Sequence, residues 1–193
     1  MRRLKLLIAA IFVVLCVDFV SGQAWELSHQ VDELHAKNLD IFTLSGDFVK
    51  PPSGSTARHP IMVVRCSHGR FRSAYIATGS VVQPADDAHS VQGTAQANVD
   101  LRIDSKKSDG ELWEIGNAGT SLFMGHRGLE NLMKSSIVHP GNPSKPTHQI
   151  VVGVAEYTGS RIEMRFGIPS DSSEIVLTCG LEYDRKSRNM LTK

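Results

Sequence analysis

The chain has no apolar run long enough to cross a membrane as a helix. Its longest, Leu6 to Val17, is about twelve residues, where a span needs roughly twenty. It has little net charge of either sign. Its 21 basic and 20 acidic side chains leave +1, which excludes the strongly basic face of a nucleic-acid binder. No sequence repeat recurs at any period, so a solenoid is not expected. The signatures of chemistry are also missing. No Gly-x-Ser-x-Gly elbow occurs, and "GTSLFMG" lacks the strand-then-helix setting that a serine nucleophile needs. No His-x-His or His-x-x-x-His pair falls on a predicted strand or helix, so eight histidines do not make a metal site by spacing. The tract "SKKSDG" between Asp100, Asp104 and Asp109 is basic and has no glycine-centred acidic dodecamer, which argues against a calcium loop.

What is there begins with a leader. Arg2, Arg3 and Lys5 precede the apolar run, Asp18 interrupts its end, and Val20-Ser21-Gly22 offers a small-residue exit. This pattern predicts a secretory signal over residues 1–22, cut after Gly22. Cys16 invites a lipoprotein reading, but the bulky Leu15 stands where a lipid-modification signal wants a small residue. Cleavage would leave residues 23–193 as a single β-rich domain, close to neutral, with no stable membrane span and a periplasmic or secreted location. Cys16 would leave with the leader. Cys66 and Cys179 would then be alone in an oxidising compartment, where two cysteines most simply form one disulfide.

Patterning along the rest of the chain is that of strands. Residues 23–44 read as an extended leading segment ending in the strand "IFTLS", with room for a helical turn in the middle. Residues 46–60, with three prolines and two glycines, read as a loop. "IMVVRC" and "FRSAYI" flank the turn-like Ser67-His68-Gly69-Arg70, a β-hairpin that would set Phe71, Ser73 and Tyr75 on one face. Residues 83–98 read as a connector. Val99, Leu101 and Ile103 alternate with Asp100, Arg102 and Asp104, and Asp109-Gly110 is the predicted turn into a strand with Trp113 and Ile115. Leu129, Leu132 and Met133 recur at helical spacing, which predicts one short helix near 127–136. After the proline-rich "HPGNPSKP", Gln149 to Glu156 and "RIEMRFGI" form a hairpin, and "EIVLTCGLEY" reads as a closing strand. About eight strands with short turns and one helix predict a mainly β fold, an antiparallel sandwich or open barrel.

Residue by residue, the candidate sites are few. Cys66 beside His68 has the composition of a thiol nucleophile and its base, but a bridged Cys66 has no free thiolate. His139 and His148 lie in the proline-rich region with no carboxylate at ligand spacing. Arg161 and Arg165 on one strand face, with Arg102 on another, could read an anion, though simple exposed alternation explains them. His68, Arg70 and Arg72 cluster around a hairpin end and are the candidate partner contact. No catalytic, cofactor-binding or metal-ligating residue is assigned, and no cofactor is expected.

The order of features carries a resemblance. Trp25, "IMVVRCSHGRFRSAYIATG", "VDLRID", "ELWEIGNAGTSLF" and "RIEMRFGI", spread over most of the mature chain, together resemble the VasI family of exported proteins associated with bacterial type VI secretion. The resemblance implies a periplasmic accessory or binding role with a protein partner in the cell envelope, without a described reaction and without catalytic residues to carry over. An alternative is an inhibitor of cell-wall hydrolases that fills an enzyme cleft with residues 67–72. A further alternative is a hydrolase without a recognisable motif. Function on a rigid β-scaffold is expected in its loops.

Overall fold

Over residues 42–44, 62–66, 97–103, 150–154 and 162–168 apolar residues recur at every second position, and there the backbone is extended. The computed structural model describes residues 24–32, 37–54, 59–86, 93–116, 118–124, 148–169, 172–184 and 189–192. Its strands are β1 (Glu26–Asp32), β2 (Lys37–Ser45), β3 (Asp47–Lys50), β4 (Ile61–Ser67), β5 (Arg70–Ala77), β6 (Gln96–Ile103), β7 (Lys106–Ile115), β8 (Ser121–Phe123), β9 (His148–Ala155), β10 (Arg161–Ile168), β11 (Leu181–Asp184) and β12 (Asn189–Thr192), with helix α1 at Ser173–Thr178. The first ten form one antiparallel sheet in the order β1-β2-β4-β5-β8-β7-β6-β9-β10-β3, and β11 pairs with β12. The expected mainly β, antiparallel architecture is present as this single open ladder.

One stretch of chain brings the two ends of the ladder together. β2 pairs with β4 from Asp40↔Cys66 to Ser45↔Ile61, and β3, one residue further on, pairs with β10 at Phe48↔Met164. The sheet is thus rolled, and Gly46 is its corner. A Cβ there would lie 2.6 Å from both the Phe166 ring and the Arg165 carbonyl. The inner face is one core. Phe42 and Leu44, Met62 and Val64, Ala97, Val99 and Leu101, Ile150, Val152 and Val154, and Ile162, Met164, Phe166 and Ile168 are all buried, together with Trp113. Each such side chain contributes about 1.5–3 kcal/mol by leaving water. α1 lies across one end of the roll: Ile175, Cys179 and Leu181 join the core, and the Trp25 indole N–H donates to Ser172 Oγ at 3.1 Å.

Several expectations are corrected. "EIVLTCGLEY" is not one strand but α1 followed by β11. A short apolar run is ambiguous between helix and strand, and Gly180, with φ +58°, ends the helix in a left-handed conformation whose missing Cβ admits the Gly69 carbonyl. The predicted helix at 127–136 lies outside the described residues. The turn of the β6–β7 hairpin is at Asp104-Ser105, while Gly110 lies within β7, where the register shifts between Val99 and Leu101. The Asp-Gly pair therefore marks a bulge. β3 occupies part of the expected loop 46–60. The leading segment 23–44 is mostly the hairpin arm β1–β2. A register shift at Arg65/Cys66 sets Phe71 opposite Cys66, so Phe71 does not share a face with Ser73 and Tyr75. It packs against the core.

Candidate functional site

At the end of the roll covered by α1, β4 and β5 meet in a two-residue turn. His68 has φ 53° and Gly69 φ 67°, and Ser67 pairs with Arg70. Positive φ at both central residues is the type I′ turn that matches the right-handed twist of a hairpin. Glycine adopts it freely, and histidine is among the side chains that tolerate it best. The Ser67 hydroxyl, buried, shares a hydrogen bond of 2.9 Å with His68 Nδ1. His68, Arg70 and Arg72 are exposed, and Arg65 is half-buried on the neighbouring strand. None of the three arginines makes an ion pair with a described residue.

This turn is fastened from behind. Cys66 and Cys179 form a disulfide with Cα atoms 5.1 Å apart, inside the usual range for a bridge. Cys179 caps α1 and does not end a strand. The sequence brings Cys66, His68, Arg70 and Arg72 together as expected, but it joins Cys66 to Cys179 and leaves no thiolate beside His68.

At the opposite end of the roll a carboxylate is buried. Glu156 is 1% exposed. It accepts hydrogen bonds from the Ser80 hydroxyl, from the Ser53 amide at 3.0 and 3.1 Å, and from the Thr158 hydroxyl at 3.1 Å. The Ser80 hydroxyl contributes most, and with the other donors it outweighs the cost of burial and holds the carboxyl below its ordinary range. Glu156 thereby ties together the segments 51–54, 78–84 and 156–160. Beside it opens a cleft of 530 Å³ lined by Val81, Val82, Ile115, Gly116 and the exposed Tyr157 among others. Among the described residues its lining has no carboxylate, imidazole or thiol.

Two further polar clusters lie on the sheet. Arg161 crosses over Gly153 to reach Asp100, and its Nε donates to Glu163 at 3.2 Å. Register explains the reach, since Gly153 is opposite Asp100 on one side and Glu163 on the other. Arg161 is therefore occupied by two carboxylates and is not available to read an anion with Arg165. His148 has no carboxylate at ligand spacing in the sequence, but the fold brings one to it: its Nδ1–H donates to Asp104 Oδ2 at 2.6 Å, across 44 positions. The Gln149 amide donates to the other oxygen at 2.9 Å. Burial works against the Asp104 charge, but these bonds outweigh it and lower the pKa. His139 and the side chain of Asp109 lie outside the described residues. Among the described residues no three His, Cys, Asp or Glu side chains are grouped to hold a metal ion.

Sequence reasoning missed Glu156, because its donors come from positions 53, 80 and 158, and no local pattern marks them. The Arg161–Asp100 contact did leave a signal, Gly153 inside a β-branched run, since such a glycine marks a close approach. Comparisons with protein-family models, with curated proteins and with solved structures find no match.

Proposed function

We propose that this chain is an exported, non-catalytic accessory or binding protein of the bacterial envelope, of the kind associated with type VI secretion. It contacts a protein partner through His68, Arg70 and Arg72. The observation that carries this reading is that exposed arginines, without an ion pair to any described residue, stand on a turn fixed from behind by the Cys66–Cys179 disulfide. The fixed backbone of the turn lowers the ordering cost of a contact, and arginine is over-represented among residues that dominate binding energy. The disulfide favours an oxidising compartment, in keeping with the leader. The rolled sheet serves as an open-barrel scaffold for its end loops.

The resemblance to the VasI family supports the envelope setting. The alternative of a cell-wall hydrolase inhibitor draws less support from the tip, because a two-residue turn extends only His68 and Gly69 beyond its strands. The test is partner recovery. Cross-linking in the envelope of the native host should capture a defined protein with the wild-type chain and lose it with R70A/R72A. Equal recovery by both would overturn the reading.

A further inference from the structure

We propose that the end of the roll carrying the disulfide receives an acidic, partly apolar polypeptide segment, with Arg70 and Arg72 holding its carboxylates and Leu177 anchoring an apolar side chain. The inference rests on the reading above that this end is the contact surface, and it names the chemistry of what is contacted.

Three observations converge here. Arg65, Arg70 and Arg72 make no ion pair with a described residue, and Arg70 and Arg72 are exposed. Leu177 on α1 is 79% exposed, the largest exposure among the large apolar side chains described. It sits beside the tip: the Gly180 amide donates to the Leu177 carbonyl at 3.3 Å, and Gly180 abuts the Gly69 carbonyl. An isolated exposed leucine is ordinary. One set beside several arginines has the make-up of a small contact surface, an apolar centre with a polar rim.

The third observation selects a polypeptide. The β1–β2 arm runs on past the end of β4: Gln30↔Leu39, Val31↔Asn38 and Asp32↔Lys37 pair with each other, whereas β2–β4 pairing stops at Asp40↔Cys66. Val31 on this overhang is 67% exposed. Among the described residues the overhang leaves a strand edge without a ladder partner at the same end of the roll, and an edge of this kind is completed by the main chain of an extended peptide. Acidic character follows from the arginines, whose planar forks bind carboxylates bidentately.

Other anionic partners fit less well. Three arginines near an anionic bilayer strengthen attachment by about fivefold each, on the order of a hundredfold together. Interfacial anchoring also calls for a strongly amphipathic helix, and α1 has six residues with an exposed Glu174 in its first turn. For a nucleic acid, the near-neutral balance of the chain gives no long-range attraction.

The test uses the purified exported chain with its disulfide intact and three probes. These are a fluorescein-labelled peptide of alternating Asp and Val, its Lys-for-Asp counterpart, and vesicles of phosphatidylcholine with phosphatidylglycerol. The acidic peptide should raise fluorescence anisotropy, more at low salt than at high salt. R70A/R72A should weaken its binding by at least about tenfold and L177S by at least about threefold, with unchanged circular dichroism. The lysine peptide should not bind, and co-sedimentation with vesicles should be no stronger for wild type than for R70A/R72A. Acidic-peptide binding that is undetectable, or equal in R70A/R72A, overturns the proposal. So does arginine-dependent binding to the vesicles. If the peptide result is negative while R70A/R72A still loses the envelope partner, the contact surface stands and the acidic-segment chemistry falls.

Discussion

The Phe71 amide donates to the Cys179 carbonyl at 2.8 Å, and Phe71 is paired in the ladder with Cys66, the residue bridged to Cys179. The base of the β4–β5 turn and the end of α1 are therefore fastened twice, once covalently and once through the main chain. This bracket holds the backbone of His68 and Arg70 in place and leaves the Arg70 side chain exposed.

Reduction should loosen the whole domain. The cysteines are separated by 113 positions, and the chain-entropy account assigns such a loop about 4–5 kcal/mol, a large share of a net stability of about 5–15 kcal/mol. Calorimetry should show a melting temperature lower by about 10 °C or more after reduction, and Cys66→Ala should do the same. Thiol titration of the unreduced, denatured mature protein should find none. About two free thiols per chain would contradict the bridge.

Glu156 makes a prediction in pH. Its carboxyl is held below the ordinary range by its hydrogen bonds, so its contribution to stability is present above the unfolded value of about 4.3. The contribution is lost as pH falls through the folded value. Asp104, lowered by its bonds to His148 and Gln149 after the opposing effect of burial, acts in the same direction. Urea unfolding should therefore show stability falling below about pH 4. Glu156→Gln should cost about 1–3 kcal/mol at neutral pH, with the gap to wild type narrowing in acid. A gap that stays constant down to pH of about 2 would refute the assignment.

Gly153→Ala should destabilise by no more than about 1 kcal/mol, because the new methyl group meets the far end of the flexible Arg161 side chain, which can swing away at the loss of its contact with Asp100. The ion pair itself is partly exposed, 40% and 32% on its two side chains, and is worth only about 0–1 kcal/mol. The cost is therefore that of displacing the guanidinium and should vanish in an Arg161→Ala background. Equal cost in both backgrounds, measured by chemical denaturation, would place the strain elsewhere.

Export makes its own prediction. Protein recovered from the native host should begin near Gln23 by mass spectrometry. An intact Met1 on a membrane-retained chain would contradict the leader reading.

Much of the strand pattern was legible because alternation of apolar and polar residues is local: "VDLRID" and "RIEMRFGI" lie in β6 and β10, and both contribute every second side chain to the core. The disulfide was legible by arithmetic, since only two cysteines follow the leader. What escaped depends on long-range pairing. Nothing local distinguishes Gly110 as a bulge from Gly110 as a turn; the choice is made by β6, which sets Leu101 opposite Ser108 and Val99 opposite Glu111. "EIVLTC" has strand composition, yet it lies across the end of the roll as a helix, where Ile175 and Cys179 are drawn into the core. The basic tip was legible as a cluster. That Cys179 braces it from the end of a helix, with Leu177 exposed beside it, was not.

The most direct test of the account is a photo-cross-linking residue placed at position 70 in the chain expressed in its native host. The account predicts a single prominent adduct with an envelope protein, lost when Arg72 is changed to Ala or when the same cross-linker is moved to Tyr157 at the far end of the roll. Equal adducts from positions 70 and 157, or none from position 70 in cells where the chain is exported and folded, would contradict it.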